Sequence, residues 1–185
     1  QWSSDREYCE GNNPFSGFTM KIVEGRNRSG YRPWTDEELQ TLWENPPKRQ
    51  DLREVMLVAM YSGMRLNEIA SLPWEHVKRD DGVDYFDVLD AKTPAGNRQV
   101  PIHSALSWLV TRKPIKAGGR VWPKFNPEGP GKKPGADAGN DFSRYKIRLG
   151  FKDRQKTFHS FRKNVTGQME RAEVPENAWA QILGH

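Results

Sequence analysis

The sequence holds a single cysteine, Cys9. A lone thiol excludes an internal disulfide, a cysteine-based zinc finger and an iron–sulfur cluster. No apolar run approaches the roughly 18 residues of a membrane-spanning helix. The longest, Val55 to Tyr61, reads as the middle of a buried helix. No glycine-rich phosphate loop ending in Gly-Lys-Ser/Thr is present, so ATP chemistry has no support. The histidines, at 76, 103, 159 and 185, form no HExxH pair and no His/Cys pairing, which argues against a metal site. Ser62 lacks the Gly-x-Ser-x-Gly setting of a serine nucleophile. No basic-then-apolar leader is visible, and the first residue is Gln1, which leads us to expect a piece of something longer.

What is present is polar and aromatic. Apolar residues make up only 35% and mean hydropathy is -0.88, yet 11% aromatic residues and 7 tryptophans argue against disorder. A chain of 185 residues suffices for one domain with a core and is marginal for two. The net charge of +5 is unevenly spread. Residues 1–90 carry 11 Lys+Arg against 17 Asp+Glu, and residues 91–185 carry 18 against 7. A basic half points to a polyanionic partner, although a solvated basic face has the same balance.

The pattern predicts a mainly α domain with a small three-stranded antiparallel sheet. Residues 1–32 read as the tail of an upstream element plus a polar linker, and residues 33–185 as the domain itself. Thr35 followed by Asp36, Glu37 and Glu38 is a capping box, and Pro46-Pro47 stops the helix it opens. A central helix is expected over about Leu52 to Ser62, with Gly63 at its end, and a short one over Leu66 to Leu72. Strands are expected at Trp74 to Val77, Val83 to Asp90 and Arg98 to Ile102, with turns at Asp81-Gly82 and Thr93 to Asn97. His103 to Arg112 reads as helical, and Lys113 to Gly139, rich in Gly, Pro and Lys, as a long mobile loop. Helices at about Asp141 to Leu149, His159 to Ala172 and Glu176 to Leu183 complete the pattern.

Four small patterns carry chemistry. Arg65 follows a helix end, and Glu68, three residues on, is placed to fix its guanidinium; alone, this reads more simply as a surface ion pair. His159 and Arg162 share one face at a helix start, where anions are favoured and a planar guanidinium grips two oxygens. Arg144, Lys146, Arg148, Lys152, Arg154, Lys156 and Lys163 crowd around them. A histidine cap on a solvated basic helix is the plainer reading. Leu183-Gly184-His185 by itself is unremarkable, and Lys92, at the tip of a predicted hairpin that returns through Arg98, is a weak signal alone.

Their order is specific. Arg-x-x-Glu after a core helix, a hairpin lysine, His-x-x-Arg and then Leu-Gly-His resembles the catalytic domain of the tyrosine recombinase (phage integrase) family over about Arg32 to His185. Tyr61-Ser62-Gly63-Met64-Arg65-Leu66-Asn67-Glu68-Ile69 through Leu72-Pro73-Trp74 is close to the box around that family's first arginine. Phe158-His159-Ser160-Phe161-Arg162 and Ile182-Leu183-Gly184-His185 match its second box, and Asn13-Pro14-Phe15 looks like the exit from its core-binding domain.

The resemblance implies site-specific recombination or integration of DNA through a 3′-phosphotyrosyl intermediate, with no metal and no cofactor. It implies that Arg65 and Arg162 clamp the scissile phosphate and that Glu68 supports Arg65. Lys92 would protonate the leaving 5′-oxygen, His159 would assist proton transfer and His185 would hydrogen-bond a non-bridging oxygen. Arg98, Lys132, Lys133 and the basic residues from Arg144 to Lys163 would hold double-stranded DNA. The family's nucleophilic tyrosine lies beyond the last histidine, so none of Tyr8, Tyr31, Tyr61, Tyr85 and Tyr145 is expected to fill that role. A self-associated tetramer on DNA and a cytoplasmic, nucleoid-associated location are further implications. A type IB topoisomerase and a non-catalytic DNA-binding relative are the alternatives.

Overall fold

The computed structural model describes residues 30–89, 96–114, 118–128 and 133–184. Helix α1 (Asp36–Glu44) starts at the expected cap. Thr35 Oγ1 accepts from the Glu38 N–H at 3.3 Å, and Glu38 Oε2 accepts from the Thr35 N–H at 2.8 Å. Helix α2 (Gln50–Ser62) is the central element, with Leu52, Val55, Met56, Val58 and Ala59 buried. The short α3 (Leu66–Ala70) follows.

Strands β1 (Val77–Asp80), β2 (Val83–Val88) and β3 (Arg98–Pro101) form an antiparallel sheet in sequence order. Val77 pairs with Phe86, Phe86 with Val100, and Val88 with Arg98. Those positions share the inner face by period-2 alternation, so Arg98 stands in the core row beside Val100. Helices α4 (Ser107–Arg112), α5 (Pro134–Arg148), α6 (Ser160–Arg171) and α7 (Glu176–Leu183) complete the described elements. Helix α2 packs on α3, α5 and α6, α3 packs on α5, and α7 meets both α6 and β3.

Aromatic rings fill the joint between α5, α6 and the residue that leads into α1. Trp34 lies 5.4 Å from Phe151, 6.1 Å from Phe161 and 6.2 Å from Phe142, centroid to centroid. Asn164 clamps the same tryptophan's backbone, accepting from its N–H at 2.9 Å and donating to its carbonyl at 2.7 Å. At the other end of α2, the buried Glu54 carboxylate accepts both guanidinium nitrogens of Arg112 and the Trp122 indole N–H, each at 2.7 Å. Burial alone would raise this carboxyl. The hydrogen bonds from Arg112, Trp122 and Gln50 outweigh burial and hold its pKa below the usual glutamate value.

Three expectations need correction. Trp74–His76 is a 3-10 turn rather than a strand, because the Trp74 N–H is drawn to the Gly119 carbonyl, and the strand begins only at Val77. The stretch from Lys113 to Gly139 is not simply a mobile loop. Val121 and Trp122 are buried, as is Phe125, and the Val121 N–H donates to the Leu72 carbonyl at 2.9 Å. A fully buried phenylalanine contributes about 1.5–3 kcal/mol, which offsets the entropy of fixing this polar segment. Helix α5 starts at Pro134, seven residues before the expected Asp141, with proline in its first turn. Asn67 Oδ1 accepts from the Gly135 N–H at 3.3 Å, and packing on α3 overrides the low helix propensity of Gly135 and Gly139. Residues 1–29 of the expected upstream tail and linker over 1–32 lie outside the described residues, as do Lys92, Lys132 and His185.

Candidate active site

The site forms where α2 and α7 end beside each other. Gly63 closes α2 in the left-handed conformation, at φ 64°. A Cβ there would stand 2.6 Å from Leu183 Cδ2 and 3.2 Å from Val165 Cγ1, so only glycine lets α6 and α7 come this close. Gly63→Ala is therefore expected to lower unfolding stability by about 2–4 kcal/mol, from left-handed strain plus overpacking. Urea unfolding measures it, and an unchanged midpoint would mean that the contact is not tight.

Arg65 leaves the turn after Gly63 and meets Glu68 twice. Its backbone N–H donates to Glu68 Oε2 at 2.9 Å and its Nη1 to Glu68 Oε1 at 2.8 Å. From β3, Arg98 grips the same carboxylate: Nη2 to Oε2 at 2.7 Å and Nη1 to Oε1 at 3.2 Å. Each carboxylate oxygen thus receives one donor from each arginine. Burial would raise the Glu68 carboxyl, but the hydrogen bonds from Arg98 and then Arg65 keep its pKa below the ordinary value.

Helix α7 ends on three consecutive carbonyls, and each is taken by a different arginine. Ile182 O accepts from Arg98 Nε at 2.8 Å, Leu183 O from Arg162 Nη2, and Gly184 O from Arg65 Nη2 at 3.0 Å. Arg162 Nη1 also donates to Gly63 O at 3.0 Å, tying the end of α2 to the end of α7. Cations at a helix C-terminus complement its dipole, each by about 0.3–1 kcal/mol. Gly184 is left-handed as well, at φ 73°, and a Cβ there would lie 3.0 Å from Arg98 Nη1.

Two guanidiniums therefore grip one carboxylate, and a third, that of Arg162, holds the helix-end carbonyls nearby. Arg162 is almost fully buried, and burial, then the like charges of Arg65 and Arg98, push its pKa down to about 10, against the opposing pull of Glu68. It remains a cation at neutral pH. Positive charge in excess, held in a low-dielectric site, is what an anion would offset. Access is through Arg65, whose side chain is 39% exposed. It borders a cleft of about 580 Å³ shared with Asn67, Ser71, His76, Asp87 and Lys133. Val88, Leu89 and Gly96, the two feet of the connection that contains Lys92, line the same cleft.

His159 stands at the N-terminus of α6, one turn before Arg162, with the Tyr31 ring 4.9 Å away. It lines a neighbouring depression with Leu66 and Phe158, and Met64 borders both that depression and the Arg65 cleft. Arg65, Glu68 and Arg162 are thus brought together, and His159 lies beside them. Among the cations expected to hold DNA, Lys133, Arg144, Arg148, Lys152, Arg154 and Lys163 are exposed. Three others are committed within the fold. Arg98 is buried in the Glu68 pair, and the buried Lys146 donates to the carbonyls of Asp153 and Lys156. Lys156 is ion-paired with Glu38. Arg98, expected on DNA, is instead turned inward beside Val100. Tyr145 is excluded as a nucleophile. Its hydroxyl lies 2.9 Å from Asn45 O and 3.1 Å from Leu42 O, and burial pushes its pKa up to about 12.

The pattern of the Phage integrase family matches residues 34–185. No curated protein sequence matches. Several solved structures are similar in fold. The Tn1549 transposon integrase, in complex with a circular intermediate DNA, superposes with a TM-score of 0.69 at 17% identity, over 100% of this chain and 67% of that one. For the XerA recombinase the TM-score is 0.61 at 16% identity, over 88% and 57%. For a lambda integrase tetramer bound to a Holliday junction it is 0.60 at 19% identity, over 100% and 54%. The chain thus spans little more than half of the latter two proteins, and at these identities the likeness is one of fold. The family pattern, covering most of the sequence and the whole arginine site, makes this chain a member of the phage integrase family, the tyrosine recombinases of site-specific DNA recombination.

Proposed function

We propose that residues 33–185 are the catalytic domain of an integrase that cleaves and rejoins double-stranded DNA. One observation carries this reading: Arg65 and Arg98 grip the Glu68 carboxylate, the buried Arg162 guanidinium adds its charge nearby, and Arg65 and Glu68 line an open cleft. Such a site fits a phosphodiester whose equatorial oxygens gain charge during displacement. Arg65 grips the scissile phosphate from the cleft side and Arg162 acts from behind with its charge undiluted by water. Glu68 keeps Arg65 extended. A tyrosine hydroxyl attacks phosphorus, a 3′-phosphotyrosyl bond forms, and the bond to the 5′-oxygen breaks. Lys92 gives that oxygen its proton, His159 handles the proton near the nucleophile, and His185 donates to a non-bridging oxygen.

Tyr61, Tyr85 and Tyr145 are not placed as the nucleophile. Besides Tyr145, Tyr61 stacks on His103 at 4.8 Å and Tyr85 lies in β2, so neither is aimed at the arginines. Tyr31, beside His159, is the residue to suspect if the 185-residue chain itself forms an adduct. Incubation of the full-length protein with a nicked suicide substrate should trap a covalent complex on a denaturing gel. Absence of any adduct from active, DNA-bound protein would favour a non-catalytic binding role instead.

Lys133, Arg144, Arg148, Lys152, Arg154 and Lys163 hold the flanking backbone. Binding of the 185-residue chain to duplex DNA should weaken with salt, with a log–log slope of about −0.9 per phosphate contacted. A flat salt response in fluorescence anisotropy would remove these cations from the interface. The lambda integrase tetramer on a Holliday junction supports self-association on DNA as the working form. No helix among the described residues is long and apolar enough to cross a membrane, and the proposed place of action is the cytoplasmic nucleoid.

A further inference from the structure

Arg98 is a long cation where the core face of a strand would ordinarily carry an aliphatic residue. Its side chain is 5% exposed, and it makes contacts in three directions. Two nitrogens hold Glu68, Nε holds Ile182 O, and Nη1 also donates to Gly96 O at 3.1 Å. Gly184 leaves the space that the guanidinium needs, since a Cβ there would press on its Nη1, Cδ and Cζ. β3 is thereby joined to both parts of the anion site: the carboxylate that holds Arg65, and the last turn of α7, which leads into His185. The connection that contains Lys92 re-enters the sheet at Arg98 itself.

We infer that Arg98 is a positioning residue for DNA cleavage. Its planar fork fixes Glu68, and through it the Arg65 guanidinium, while its Nε fixes the backbone entering Gly184-His185. It touches no DNA. The fork geometry is essential, because a lysine is a point charge that cannot bridge a carboxylate and a carbonyl in fixed directions. This inference rests on the recombinase reading only for its consequence in catalysis, not for the coupling between the arginines.

The test uses two variants and two readouts. In the full-length protein, Arg98→Gln and Arg98→Lys should each slow single-turnover cleavage of a suicide substrate at saturating DNA by about 10²-fold, the scale of a misplaced catalytic group. The dissociation constant for DNA should be unchanged. In the 185-residue chain, the Arg65 Nε–Hε resonance in side-chain NMR should shift and lose its restricted rotation in both variants. A wild-type rate in Arg98→Lys would overturn the inference, since charge alone would then suffice. An unchanged Arg65 resonance would overturn it too, as would a rate loss no larger than the loss of folded protein. If Arg98→Gln does not fold, Arg98→Lys decides by the same criteria. If the wild-type protein cleaves nothing, the recombinase reading fails, and the Arg65 resonance still decides whether Arg98 positions Arg65.

Discussion

Arg162→Ala should slow DNA cleavage by the full-length protein by about 10²–10³-fold, the usual cost of removing one donor from a charged transition state. Arg162 is buried, so its field on the phosphate is little screened by water. The substitution also frees Gly63 O and Leu183 O, the two carbonyls through which Arg162 joins α2 to α7. Part of the loss is therefore structural, and it separates cleanly. Single-turnover rates are compared at a temperature where both proteins are fully folded by circular dichroism. Arg162→Lys, which keeps a charge but not the fork, should recover stability better than rate. Cleavage within a few-fold of wild type in folded Arg162→Ala would remove this residue from the phosphate site.

Lys92→Ala carries the second large effect. General acid catalysis contributes about 10²–10⁴-fold, and cleavage of ordinary DNA should fall by that much. Its described flanks motivate the test: β2 leaves the sheet at Val88 and β3 returns at Arg98, and Leu89 and Gly96 border the cleft that Arg65 enters. The diagnostic is a substrate with sulfur in place of the bridging 5′-oxygen. A thiolate departs without a proton, so the variant should regain most of the wild-type rate on that DNA. Equal impairment on both substrates would make Lys92 a DNA contact and leave the proton donor to be found elsewhere.

Much of this arrangement was legible in the residues. Thr35 with Glu38 announced α1, Gly63 announced the end of α2, and the i,i+3 spacing of Arg65 and Glu68 announced their pair. These signals are local, and local sequence determines them. The failures were long-range. Val121, Trp122 and Phe125 sit in a stretch whose prolines, glycines and lysines read as loop, and only the hydrophobic space beneath Leu72 and α2 turns them into core. Helix α5 extends back to Pro134 because α3 is there to pack on. Arg98 looks like a surface cation until Glu68, 30 residues away, and Ile182, 84 residues away, take its guanidinium. That three arginines divide three successive carbonyls of α7 follows from no motif, since it needs α2, β3, α6 and α7 to be in place together.

The central claim is that the Arg65–Arg162 site holds the phosphate to be cut. A crystal structure of this domain on a duplex carrying its recombination site tests it most directly. The account predicts one backbone phosphate in the cleft, a non-bridging oxygen about 2.7–3.1 Å from a nitrogen of Arg65, with the Arg162 guanidinium behind it and His159 beside it. DNA that lies only along the exposed cations of α5 and α6, with no phosphate at Arg65, would contradict it.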